Sequence, residues 1–221
     1  MQGNETIYEN RKKDIQLYFR TLRNVGERAS QPSASREEER LFKIMKSNFL
    51  LMLYNFVEAV FRKGMEDLYN HINDKKLSYS ELHEEIQTLW RDFTIKQVYL
   101  PQTKLDTYTA SVQNMMEAVA NGTPLTLDVK MLDISGNLDA PQINKILLKH
   151  QIIRDYISDR GELGTVKERR NQLAHGNISF SEGAQNDTLS DLERYMKAVF
   201  TFMETVLQKI DEYDQQERYR A

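Results

Sequence analysis

Phe49-Leu50-Leu51-Met52-Leu53-Tyr54-Asn55-Phe56-Val57-Glu58-Ala59-Val60-Phe61 is apolar around most of a helical circumference, with Asn55 and Glu58 as its polar interruptions. A surface helix carries one apolar stripe; a helix apolar nearly all round belongs in the centre of a bundle or at a subunit interface. The run is shorter than the ~20 residues that cross a bilayer, so no membrane association is expected. Upstream, Ser35 and Glu38 have the spacing of a capping box, which starts this helix near Arg36. Downstream, Asn73-Asp74-Lys75-Lys76 ends it just after Ile72.

Working outward, helical periodicity recurs on both sides. Ile15, Tyr18, Phe19, Leu22 and Val25 predict an amphipathic first helix, broken at Gly26 and at Ser30-Gln31-Pro32-Ser33. Ser78 and Glu81 look like another capping box, ahead of a helix with Leu82, Ile86, Leu89, Trp90 and Phe93 on one face. Pro101 marks a break. Leu105, Tyr108, Val112, Met115, Met116 and Val119 form a stripe that is expected to pack into the core, closed by Gly122. Leu125-Thr126-Leu127-Asp128-Val129 alternates, and Gly136-Asn137 is turn-like, so a short β-hairpin or an irregular loop is expected there. Asp139 caps a short helix through Ile143, Ile146 and Leu147. Thr165 with Glu168, and Ser190 with Glu193, have capping-box spacing for two further helices. Gly176 stands where a C-terminal cap belongs, and the tail from Asp214 to Arg218 looks frayed. The fold class is all-α. Its 221 residues suit a single domain, 1–221, with about residues 77–160 inserted within the helical core.

Hydrophobic residues make up 40% of the chain and charged residues 29%, enough for a packed core. There is no cysteine, which excludes disulfides and thiolate metal sites and fits a cytoplasmic setting. The polar start lacks the apolar segment of a signal peptide. A net charge of −3 argues against broad electrostatic capture of nucleic acid, so any such contact depends on a local patch. Lys167, Arg169 and Arg170 supply one. His71, His83 and His150 are scattered. With no HExxH, no Cys/His spacing and no glycine-rich phosphate loop, neither a metal nor a cofactor is expected.

The segment that can carry chemistry is Val166-Lys167-Glu168-Arg169-Arg170-Asn171-Gln172-Leu173-Ala174-His175-Gly176. On one helix Arg170 and His175 are about 140° apart, so spacing alone does not bring them together. Asn171 and His175 share a face. Their types suit RNA cleavage. RNA carries its own nucleophile in the 2′-hydroxyl, an imidazole can move its proton, and a guanidinium can brace the phosphate. The bland alternative is a histidine at a helix end and an arginine in a surface ion pair. Glu58 and Asn55 have two readings as well: a buried structural network, or groups that orient Arg170 or His175.

The Arg170-Asn171 pair, with His175-Gly176 closing the motif, resembles the HEPN signature. Met45 to Ala59, Ser135 to Ala140 and Ile178-Ser179-Phe180, in that order, resemble the MAE-type prokaryotic HEPN group. The resemblance implies a helical bundle whose motif lies at a homodimer interface. It implies a metal-independent endoribonuclease, often a toxin or defence-system component, acting on RNA and answering to an antitoxin or defence partner. Arg170 and His175 would be catalytic, with Asn171, Glu58, Asn55 and Lys167 supporting them. The rival expectations are a non-catalytic helical module that binds RNA or protein, and a structural dimer with no nucleic-acid role.

Overall fold

A computed structural model describes residues 2–98, 104–132, 134 and 136–221. Seven α-helices follow one another among these residues: α1 (Gln2–Ala29), α2 (Arg36–Asp74), α3 (Glu84–Val98), α4 (Leu105–Ala120), α5 (Ala140–Lys149), α6 (Glu162–Ala174) and α7 (Leu189–Gln215). Short 3-10 turns lie at Tyr79–Glu81 and Val129–Leu132. The break expected at Pro101 lies outside the described residues. The class is all-α.

The helix ends explain themselves in hydrogen bonds. α2 starts as expected: the Ser35 N–H donates to Glu38 Oε2 at 2.8 Å, and the Glu38 N–H donates back to Ser35 Oγ at 3.2 Å. The Ser78–Glu81 box forms too, but it frames a 3-10 turn rather than the start of α3. α6 begins a turn earlier than Thr165 suggests. Gly161 is its N-cap, and the Thr165 hydroxyl lies inside the helix, donating to the Gly161 carbonyl at 3.1 Å. For α7 the working box is Thr188 with Asp191, not Ser190 with Glu193. α1 runs through Gly26 unbroken. The tail is not frayed: Tyr219 is fully buried, and Arg220 forms an antiparallel bridge with Leu82.

The hairpin does not form; no strand exists among the described residues. Leu125 and Leu127 are both buried, so the alternation is real. Their backbones, however, bond to a helix end instead of a second strand. The Leu125 N–H donates to the Leu77 carbonyl at 2.8 Å, and the Leu127 N–H to Asn73 Oδ1 at 2.8 Å. Asn73 Nδ2 donates in return to the Leu127 carbonyl at 2.9 Å.

The chain divides into two compact units. The first comprises residues 1–63, 135–143 and 157–207, the second residues 64–134, 144–156 and 208–221. Of residues 77–160, the stretches 135–143 and 157–160 therefore belong to the first unit. The core of the first unit is built on the apolar run of α2. Phe49, Leu50, Leu53, Phe56, Val57 and Val60 are buried there with Ile15, Phe19 and Leu22 of α1 and Leu192, Val199 and Met203 of α7. Phe56 packs against Tyr8 and Phe200, each at 5.3 Å between ring centroids. In the second unit Met65, Leu68, Tyr69 and Ile72 of α2 are buried, as are Ile86 and Leu89 of α3, Leu147 of α5, and Ile210 and Tyr213 of α7.

α2 as a whole meets the length and composition of a membrane span, beyond what the shorter apolar run suggested. Its buried side chains are those of a core helix, and burial of this apolar surface supplies the main drive for folding.

The α4 stripe departs from expectation: no side chain of α4 is buried, and Leu105 and Met116 are among the most exposed apolar residues of the protein.

Candidate active site

Three stretches of the first unit build the site: the middle of α2, the segment 136–139 before α5, and α6 with the residues after it. Tyr54 and Glu58 are one turn apart on α2 and share a face. The Tyr54 hydroxyl donates to the Gly136 carbonyl at 2.6 Å and accepts the Leu138 N–H at 3.1 Å. It thereby ties the 136–139 segment to α2. Burial pushes the Tyr54 phenol up from its ordinary value, with the neighbouring Arg170 opposing that shift.

Arg170 reaches from α6 into this frame. Its guanidinium lies over the Tyr54 ring, 3.8 Å from the centroid, a cation–π stack. One Nη donates to the Gly136 carbonyl, and the other donates to Asn171 Oδ1 at 2.8 Å. Glu58 Oε2 stands 3.7 Å from Arg170 and its Oε1 3.7 Å from Arg62. At that separation Glu58 balances the charge without forming a short ion pair. The side chain of Arg170 is only 20% exposed, so it is a cation fixed in place rather than a surface charge.

Asn171 extends the clamp. While its Oδ1 accepts from Arg170, its Nδ2 donates to Asn137 Oδ1 at 2.9 Å. Lys167 is half-buried and not free: its ammonium pairs with Asp139, whose other oxygen caps α5 by accepting the Gln142 N–H at 3.0 Å. Asn55 is exposed and joins no network among the described residues.

His175 is the C-cap of α6. Gly176 follows with φ of 69°, a conformation that L side chains resist, and this lets the Asn177 N–H close the helix on the Gln172 carbonyl at 2.9 Å. The imidazole itself is exposed and contacts no described residue through a hydrogen bond. The chain beyond it is anchored to α2. Ser47 Oγ donates to the Phe180 carbonyl at 2.7 Å, and the buried Lys46 Nζ donates to the carbonyls of Gln185 and Asp187 at 3.0 and 2.7 Å.

Of the residues singled out in the sequence, then, Arg170, Asn171 and Glu58 come together. Lys167 stands beside them in its own ion pair, His175 projects to solvent, and Asn55 is apart. Tyr54, Gly136 and Asn137 were not singled out as site residues. The available signal was a tyrosine in a run that otherwise needs no hydroxyl, one turn before an acid. Among the described residues no cluster of three or more His, Asp or Glu side chains is placed to hold a metal ion. The arrangement holds a guanidinium in a fixed pose, and a guanidinium is the side-chain group best suited to pairing with a phosphate.

No curated protein and no solved structure matches the chain. The family model of the MAE-type HEPN domain matches residues 6–219.

Proposed function

The chain belongs to the MAE-type HEPN family, and from that membership and the clamp on Arg170 we propose that it is a metal-independent endoribonuclease, a toxin or defence-system effector acting in the cytoplasm. The observation that carries the reading is the fixed guanidinium: stacked on Tyr54, bonded to Gly136 and Asn171, and balanced by Glu58. Preorganised charge of this kind stabilises a transition state without reorganising at the moment of reaction.

In the reaction the RNA 2′-oxygen attacks the adjacent phosphorus while its proton passes to an imidazole. The bond from phosphorus to the 5′-oxygen breaks, and that oxygen takes a proton from a second imidazole. The products are a 2′,3′-cyclic phosphate and a 5′-hydroxyl. Arg170 binds the phosphate oxygens as charge builds on them, Asn171 and Glu58 position Arg170, and His175 moves the proton. One chain offers one such histidine. A homodimer that pairs two α6 helices supplies the base and the acid together, and it gives the exposed His175 its working surroundings. A partner protein acting as antitoxin would silence the enzyme by covering this surface.

The exposed His175, which no described residue orients through a hydrogen bond, also favours a second reading: a non-catalytic helical module that binds RNA or protein at the Arg170 clamp. A cleavage assay on single-stranded and structured RNA with EDTA present separates the two. The enzyme reading expects cleavage by the wild type and at least a hundredfold loss in Arg170→Ala and His175→Ala, in line with the ~10²–10⁴-fold contribution of positioned acid–base groups. Undiminished cleavage by His175→Ala overturns the mechanism. RNA binding with no cleavage by any of the three proteins supports the module.

A further inference from the structure

The loop that follows His175 is held on a buried footing. Ser179 opens a tight turn: its N–H and its hydroxyl both donate to Glu182 Oε2, at 2.8 and 2.6 Å. The Glu182 and Gly183 N–H groups return to the Ser179 carbonyl, each at 3.0 Å. Gly183 and Ala184 are buried beneath the turn, where the buried Lys46 and Ser47 of α2 hold its backbone carbonyls. Phe180 is the apolar residue that this turn leaves outside. Its carbonyl accepts from Ser47 Oγ, yet the residue is 40% exposed, and it is the one exposed phenylalanine among the nine of the chain.

The turn stands at the histidine end of the site. Ser47, Tyr54 and Glu58 lie close to whole turns apart on α2 and so share one face. Arg170 lies over Tyr54, whereas a Cβ at Gly183 would touch both Ser47 Oγ and the Leu173 side chain. α6 therefore passes along this face with Arg170 at the Tyr54 end and Leu173, then His175, toward Ser47. The Phe180 carbonyl is bonded to that same serine, which is about 10 Å along α2 from the level of the Arg170 stack.

The neighbours of the ring favour a base over a protein. Protein contacts bury contiguous apolar patches. Phe180 instead stands in a polar stretch, between the Asn177 amide and the mutually bonded hydroxyls of Ser179 and Ser181. A nucleobase stacks by its face and hydrogen-bonds by its edge, so a single ring beside hydroxyl and amide groups suits it. A ring on an already fixed backbone also loses little freedom on binding.

We propose that Phe180 is the base-stacking platform of this site, holding an unpaired base next to the scissile phosphate and so selecting single-stranded RNA. The proposal rests on the RNA-cleaving reading of Arg170 and His175. Phe180 meets the base and no reacting atom; it sets specificity.

The probe is a short single-stranded RNA with its 2′-hydroxyls replaced by fluorine, so that it binds uncleaved, carrying one 2-aminopurine walked along the strand. The full-length wild type is expected to quench the fluorescent base at one position by stacking. Phe180→Ala is expected to bind about tenfold more weakly and to lose that quench, with an unchanged circular-dichroism melt, while Phe180→Trp retains both. An abasic site at the same position should weaken the wild type by a similar factor and leave Phe180→Ala unaffected. Binding by Phe180→Ala equal to that of the wild type overturns the platform and leaves the nuclease reading standing. A loss in Phe180→Ala that is the same for the intact and abasic strands also overturns it, since the ring then supports the fold or a contact between copies. A wild type that binds no RNA overturns both readings.

Discussion

Asn171 shows how a modest side chain can govern a stronger one. Its amide accepts from Arg170 and donates to Asn137, so it sets the angle at which the guanidinium lies on Tyr54. Neither bond is deeply buried, and replacing Asn171 with alanine removes about 1 kcal/mol of folding stability or less. Its effect on cleavage is expected to be larger. A guanidinium freed to rotate no longer meets the phosphate in a fixed pose, and a tenfold fall in rate corresponds to ~1.4 kcal/mol of lost transition-state binding. Asn171→Ala should therefore lower kcat by about tenfold while its melting temperature stays near that of the wild type. Asn171→Asp restores an acceptor for Arg170 but not the donor to Asn137, and is expected to recover only part of the rate. Single-turnover kinetics on a cleavable RNA, run beside thermal melts, separates a positioning loss from a folding loss.

At the scale of the element, two glycines predict opposite outcomes. Gly183 sits in the stretch beyond His175, where an added Cβ would come within 2.7 Å of Ser47 Oγ and 2.8 Å of Leu173 Cδ2. Ser47 and Leu173 are both buried, so neither yields freely. Gly183→Ala is expected to cost about 1–3 kcal/mol by overpacking. Gly164, inside α6, has open space where its Cβ would stand. Gly164→Ala is expected to stabilise by ~0.5–1 kcal/mol, because alanine loses less backbone freedom in a helix. Urea midpoints of the two variants check both signs. The sequence showed the helices and the start of α2 well, because periodicity and the Ser35–Glu38 box pointed the same way. It misplaced the start of α7 because two matches to the box overlap there, Thr188–Asp191 and Ser190–Glu193, and capping chemistry alone does not choose between them. It read the α4 stripe as core because apolar spacing says that a face seeks cover, not whether its own chain supplies it. Arg170, Asn171 and His175 were visible as a motif, but the ring beneath Arg170 was not. A tyrosine in an apolar run looks like packing until a second helix is laid against it.

For the molecule as a whole, acid is expected to act first on the second unit. His150 is buried between Tyr69 and its own helix: its Nδ1–H donates to the Ile146 carbonyl at 2.7 Å, and Nε2 lies 2.5 Å from the Tyr69 hydroxyl, which donates to it. That arrangement needs a neutral imidazole. Burial, aided by the charge on Lys149, pushes the His150 pKa down to about 4, against the backbone bond to Ile146 that favours the charged form. An unfolded histidine titrates near ~6.5. The folded state is thus the one that refuses the proton, and its advantage is complete above about pH 6.5. Between about pH 6.5 and 4 the unfolded chain binds more protons than the native chain, so stability falls as pH falls, by at most ~1.4 kcal/mol per pH unit from this one group. The surface carboxylates held below their ordinary range, such as Glu204 beside Lys12 and Glu217 beside Lys75, act in the same direction but later, as pH drops below their unfolded values. Urea denaturation should accordingly show little change in the wild type from pH 7.5 to about 6.5 and a decline from there to pH 5. His150→Gln is less stable at pH 7.5 because the Tyr69 bond is disturbed, but its stability should be nearly flat over the same range. Parallel slopes in the two proteins would assign the acid sensitivity to groups other than His150.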